Sequence, residues 1–140
     1  RLAPKNANAW AELADLTIAL NPSDLLKAGE IAEKALAVDP WHQKGLMIGA
    51  AAAFERGDYA HAAVLFDRLR KQIPAGNEVH DALTQQIEMT LAAGGLKAIP
   101  KDDVGEKPET DLEKMMKLGG GMQQAPERGQ DGVGLNPLKR

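Results

Sequence analysis

From Ala7 to about Ala93, apolar residues recur at three- and four-residue steps, and short polar breaks divide them into five segments. In the first, residues 7–20, Trp10, Leu13, Ala14 and Thr17 share a helical face, with Glu12 and Asp15 elsewhere on the surface. Residues 25–38 place Ala28, Ile31, Ala32, Ala35 and Leu36 together. Residues 42–56 carry Leu46, Ile48, Gly49, Ala50, Ala53 and Phe54, and residues 59–73 carry Tyr59, Ala62, Ala63, Phe66 and Leu69. The fifth segment, residues 78–93, has a stripe of Val79, Leu83, Ile87 and Thr90 or Leu91. The breaks have the chemistry of helix ends. Asn6 suits an N-cap, Asn21-Pro22 a turn with Ser23 or Asp24 as the next cap, and Asp58 a cap after Gly57. Asp39-Pro40, Pro74-Ala75-Gly76-Asn77 and Gly94-Gly95 are stops, because proline breaks the ladder and glycine accepts the left-handed terminal conformation. The pattern predicts an all-α domain over residues 1–95.

After Gly95 the composition changes. Residues 96–140 are rich in Gly, Pro and balanced charge, and their hydrophobic density is too low to offset chain entropy. They are expected to form a largely irregular, flexible C-terminal tail. One helix is expected inside it, at 110–118. Thr110-Asp111-Leu112-Glu113 matches a capping box, Leu112, Met115, Met116 and Leu118 follow, and Gly119 to Gly121 terminate it.

The helical segments repeat. Pro40 and Pro74 are 34 residues apart, as are Ala28 and Ala62, and Ala32 and Phe66. A 34-residue helix–turn–helix period is the tetratricopeptide (TPR) signature. Gly57, Tyr59, Ala62, Phe66 and Pro74 stand at TPR-like positions in the second unit; Trp10, Leu13, Ala14, Ala28, Ala35 and Pro40 do so in the first. The second unit departs at Leu46, Gly49 and Ala53, where larger residues are usual. The expected fold is therefore a TPR solenoid of two repeats plus a closing helix. The run from Ala35 through Asp39-Pro40-Trp41-His42 to Met47, then Ala53-Phe54-Glu55-Arg56-Gly57-Asp58-Tyr59-Ala60, then Arg68-Leu69 and Pro74, resembles the periplasmic TPR domain of CcmI/CycH-type cytochrome c maturation proteins and the related NrfG nitrite-reductase maturation subunits. The likeness spans about Asn6 to Leu91. It implies a non-catalytic module that captures apocytochrome c through its C-terminal helix and delivers it to haem-lyase complex subunits, within a membrane-anchored periplasmic protein. The alternative expectation is a generic TPR scaffold for envelope protein assembly or secretion.

Composition narrows the chemistry. A formal charge of −3 offers no basic footprint for nucleic acid. The absence of cysteine excludes disulfides, thiolate nucleophiles and cysteine zinc sites. The longest apolar run, Leu46 to Phe54, falls well short of the roughly 20 residues of a membrane span, so no membrane contact is expected of these residues. The chain opens on Arg1 and is read as a fragment whose anchor lies outside it. No enzyme signature is found: Gly119 to Gly121 lack the strand and helix of a phosphate loop, and the single serine, Ser23, sits in a capping turn. His42, His61 and His80 lack metal-ligand spacing, so capping or solvated roles are expected and no cofactor or metal.

A TPR stack exposes the first helix of each unit on a concave face that holds a helix or extended peptide. By register, the peptide-binding candidates are Asn8, Ala11, Asp15 and Ile18 from the first unit and Lys44, Met47, Ile48, Ala51, Phe54 and Glu55 from the second. The fifth helix adds Asp81, Thr84, Gln85 or Glu88. Small residues at Ala11 and Gly49 to Ala52 are expected to leave room for a bulky ligand helix. For Ile48 and Phe54, packing between helices competes with groove lining; Trp41 is either an exposed binding residue or a cover over the helix junction. Lys44 and Arg56 are able to attract a carboxylate, but Ala11 and Asp15 stand where a carboxylate clamp needs Lys and Asn. Glu12, Asp15 and Glu55 give the inferred groove an acidic cast.

Overall fold

Each polar break becomes a helix end, and every helix start except that at Leu25 carries a side-chain N-cap. In a computed structural model, which describes residues 6–105, 107, 115 and 116, five α-helices follow one another. They are α1 (Ala7–Leu20), α2 (Leu25–Val38), α3 (Gln43–Glu55), α4 (Tyr59–Arg70) and α5 (Glu78–Gly94), with a 3-10 turn at Pro22–Asp24. No strand occurs among the described residues. Asn6, Asp58 and Asn77 accept from the amides of Ala9, His61 and Val79 at the starts of α1, α4 and α5. Before α2 the side-chain cap is absent: Asp24 holds the N-cap position without a hydrogen bond, and Asn21 Oδ1 caps the 3-10 turn instead. Gly57 at φ 85° and Gly95 at φ 64° take the left-handed conformation that ends α3 and α5. Helix α4 stops at Arg70, short of the expected Ile73, because Gln72 and Ile73 donate to the carbonyls of Leu69 and Arg70 in a tightened turn. Pro74 disfavours helical backbone at the residue before it.

The helices pack in consecutive pairs, α1 on α2 through to α4 on α5, and α1 also touches α3. Short connections make such neighbours antiparallel. Two clusters hold the stack. Ala14, Ala28, Ala32 and Ile48 join α1, α2 and α3; Leu36, Leu46, Ala50, Ala53, Ala62, Leu65, Phe66, Leu69, Leu83 and Ile87 join α2 to α5. Alanine and glycine at the crossings set the spacing. A Cβ on Gly29 would overlap that of Ala52, and one on Gly49 would press on Leu65 and Leu36. The small residues Ala11, Gly49, Ala50 and Ala52 are therefore buried where helix meets helix. The sequence pattern leads us to expect that they leave room for a ligand helix; instead they let neighbouring helices close on α3.

Leu13 and the residues after Gly95 differ from expectation, and Trp41 takes one of the two roles open to it. Leu13 is partly exposed, and with Leu16 and Leu20 it forms an outward stripe on α1. Trp41 is buried, so it covers the helix junction, where its carbonyl accepts from Gln72 Nε2 at 2.9 Å. The folded unit also runs past Gly95 to Gly105. Ile99 packs on the larger cluster, and Asp102 pairs with Arg68. The Arg68 guanidinium is buried and donates to both Asp102 oxygens at 3.0 Å and to the Pro40 carbonyl at 2.9 Å. Residues 96–105 thus form a strap held to α4 and the α2–α3 corner, a contact that composition concealed. Of the helix expected at 110–118, Met115 and Met116 are helical and exposed, and the remainder lies outside the described residues. No helix among the described residues is long and apolar enough to cross a membrane.

Candidate functional site

A groove of about 410 Å³ opens where α1, α3, the end of α4 and the start of α5 come together. Helix α3 supplies Gln43, Lys44, Met47 and Ile48; α1 supplies Asp15; the α4 side supplies Leu69 and Ile73; and α5 supplies Val79. Met47 and Val79 are half exposed, at 47% and 49%, so their side chains stand open to an occupant. Ile48 is 7% exposed: one side packs on Ala14, Ala28 and Ala32 while its edge reaches the groove. The floor is therefore aliphatic and thioether, and the polar groups lie along the α1 and α3 rim.

The rim chemistry centres on Lys44. Its Nζ lies 2.8 Å from Glu12 Oε2 and 3.4 Å from Asp15 Oδ2, tying α3 to α1. The Glu12 hydrogen bond raises the Lys44 pKa above its ordinary 10.5; desolvation opposes this and Asp15 adds to it. Lys44 therefore stays cationic, and its charge is already engaged by two carboxylates of its own chain.

Of the residues placed on this face by register, Asp15, Lys44, Met47 and Ile48 line one groove. Ala11 is fully buried and does not reach it, because α1 turns that position onto its neighbours. Asn8 is exposed but bonded to His42 at 2.6 Å. Ile18 is half buried against the smaller cluster, and Ala51 is half buried. Phe54 meets Tyr59 edge-on at 5.1 Å and packs on the larger cluster, which resolves it as structural. Glu55 is exposed at the end of α3. On α5, Thr84 is engaged with Arg70 Nη1 at 3.1 Å. Asp81, Gln85 and Glu88 are exposed but do not line the groove, which takes Val79 from that helix.

Gln43, Leu69, Ile73 and Val79 are lining residues that register on first helices misses. Leu69, Ile73 and Val79 carry the apolar periodicity of a core stripe. The available signal was the corner Pro74-Ala75-Gly76-Asn77, which brings the end of α4 and the start of α5 to one place.

His42 and His61 serve the scaffold. His42 Nδ1 accepts from the Gly45 amide at 3.1 Å and caps α3, which leaves Nε2–H to donate to Asn8. His61 Nε2 sits 2.8 Å from Glu33, whose hydrogen bond raises the imidazole pKa above 6.5 against partial desolvation. His80 Nδ1 is buried without a hydrogen-bond partner, 3.9 Å from the Asp81 carboxylate. Among the described residues no three His, Asp or Glu side chains converge to hold a metal ion. Comparison with protein-family models, with curated proteins and with solved structures yields no match.

Proposed function

We propose that this chain is a non-catalytic TPR module that captures an amphipathic helix, and that its client is the C-terminal helix of apocytochrome c. The observation that carries this reading is the groove: an open apolar floor of Met47, Ile48, Leu69, Ile73 and Val79 with a polar rim. Such a surface accepts side chains at helical i, i+3 and i+7 spacing and leaves the polar face of the client in water. Met47 adapts its shape to related clients, since thioether chains are unbranched and polarizable. The stacking supports the TPR assignment. Asn8 and His42, 34 residues apart, meet at the starts of α1 and α3, and Ala28 and Ala62 hold equivalent buried positions on α2 and α4. The client identity rests on the resemblance carried by the Asp39–Met47 and Ala53–Ala60 runs. In this role the module holds an unfolded cytochrome by its C-terminal helix, leaving the upstream Cys-x-x-Cys-His segment of the client accessible to haem-lyase subunits in the periplasm.

Calorimetry with a peptide of an apocytochrome c C-terminal helix tests the proposal. Binding at about 10 µM is expected, with a scrambled peptide inert. No heat at about 100 µM peptide refutes it. Equal binding of amphipathic helices unrelated to cytochromes would instead assign a general scaffold role in envelope assembly or secretion.

A further inference from the structure

We propose, resting on the helix-capture reading, that the strap over residues 96–105 is a clasp that sets the width of the groove, with Asp102 as its positioning residue. One groove wall is the end of α4, where Leu69 and Ile73 stand. That wall is not held by its own helix. Helix α4 ends at Arg70, so Ile73 lies in the tightened turn beyond it, next to Pro74, which has no amide to extend the ladder. Arg68 and Gln72, each one residue before a wall residue, both reach across to the corner from which α3 starts. Arg68 Nη1 donates to the Pro40 carbonyl at 2.9 Å, and Gln72 Nε2 donates to the Trp41 carbonyl at 2.9 Å. Gln72 Oε1 also accepts, at 3.5 Å, from Nε2 of Gln43, itself a groove-lining residue. Two side chains at the end of α4 thus fix its spacing from the start of α3, which supplies the facing part of the groove.

Arg68 holds its position because the strap aims it. Nε and Nη2 donate to the two Asp102 oxygens at 3.0 Å each, which leaves Nη1 for Pro40. The guanidinium is planar, so a bidentate carboxylate fixes the direction of the third bond. Ile99 of the strap and Ile73 of the groove wall pack on the same apolar cluster, a second link between the two. With the carboxylate removed, the guanidinium turns to water and the end of α4 is left with the Gln72 tie alone. The groove then samples wider shapes. A groove that holds its binding shape a tenth of the time binds a client helix about tenfold more weakly.

The test has two arms, both on the full chain. The first needs no ligand. The protein has no cysteine, so Met47→Cys with Val79→Cys takes two nitroxide labels, at half-exposed lining positions on α3 and α5. Dipolar spin resonance is expected to give one narrow distance distribution, which Asp102→Ala broadens toward longer distances; Asp102→Asn, which keeps one acceptor, should fall between. The second arm titrates the unlabelled chain with the apocytochrome c C-terminal helix peptide. Asp102→Ala should weaken binding about tenfold and Asp103→Ala, at an exposed position, should not change it. Arg68→Met with Asp102→Leu separates positioning from stability. This apolar pair cannot bond the Pro40 carbonyl, so its unfolding midpoint should return toward that of the parent while its label distances stay broad and its peptide affinity stays low. Parental width and affinity in the apolar pair would reduce Asp102 to a stability contact, and an unchanged distance distribution in Asp102→Ala overturns the clasp. Broadened distances with unchanged peptide affinity would overturn its bearing on the client. Failure of the peptide to bind the parent removes helix capture, and the label arm still decides whether the strap sets the groove width.

Discussion

Asp102→Ala is the most informative single perturbation of the scaffold, because it tests a contact that composition argued against. The Arg68 and Asp102 side chains are 8% and 14% exposed, and the guanidinium makes two bonds to the carboxylate and one to the Pro40 carbonyl. Removing the carboxylate strands a buried cation with a single neutral acceptor. Breaking a buried pair in this way costs about 3–5 kcal/mol. The lower end applies, since a released strap lets water reach the guanidinium, so the expected loss is about 3 kcal/mol. With a urea m-value of about 1.5 kcal/mol per molar, the unfolding midpoint falls by about 2 M. Helical circular dichroism and Trp41 fluorescence should report it together, because Trp41 adjoins the carbonyl that Arg68 holds. Arg68→Met combined with Asp102→Leu should recover more than half the loss, as an apolar pair leaves no charge unpaired. Asp103→Ala, at the exposed neighbour, should change stability by less than about 0.5 kcal/mol. A loss below about 1 kcal/mol for Asp102→Ala would refute the reasoning and reduce the pair to a surface ion pair. The acid limb offers a second reading. Burial pushes the Asp102 carboxyl up, but the Arg68 and Val104 hydrogen bonds and the Arg68 and Lys71 charges outweigh it and hold the pKa below 3.8. Its contribution is therefore present above the unfolded carboxylate range and lost as pH falls through the lowered folded pKa. Asp102→Ala should flatten stability against pH below about 4.

Three further outcomes are expected. Gly29→Ala forces a Cβ onto Ala52; overpacking of about 1–3 kcal/mol exceeds the helix-propensity gain of about 1 kcal/mol, so urea denaturation should show net destabilisation, and a more stable variant would refute the close crossing. Met47→Ala should weaken client-helix binding while leaving stability within about 0.5 kcal/mol, whereas Ile48→Ala should cost about 2–4 kcal/mol on unfolding; similar stability losses at both positions would contradict their different burial. The His61–Glu33 pair, with its raised imidazole pKa, supports the fold below the unfolded pKa of 6.5 and loses that support as pH rises through the folded value. His61→Gln should therefore narrow the stability difference between pH 6 and about pH 8, read by thermal melts; an unchanged difference would show that the pair contributes nothing.

The helices were legible because their determinants are local. Apolar residues at a 3.6-residue period define each buried stripe, and caps such as Asn6, Asp58 and Gly95 act within a few residues of themselves. The sequence by itself thus determined the number, order and ends of the helices, with α4 alone misplaced by more than a residue. Which side of each helix would be covered was less legible. Leu13 and Val79 carry the period of a buried stripe, yet the stack leaves the first partly exposed and the second on the groove. Ala11 has the register of a groove residue but is buried. Only the tertiary structure decided that Leu69, Ile73 and Val79 meet Met47 and Ile48 across one floor, that Lys44 reaches Glu12 and Asp15, and that Arg68 draws Asp102 out of an apparently irregular tail. Helical periodicity is set by neighbours three and four residues away. The groove, its rim charges and the strap depend on helix crossing distances, which are decided where Gly29 meets Ala52 and Gly49 meets Leu65.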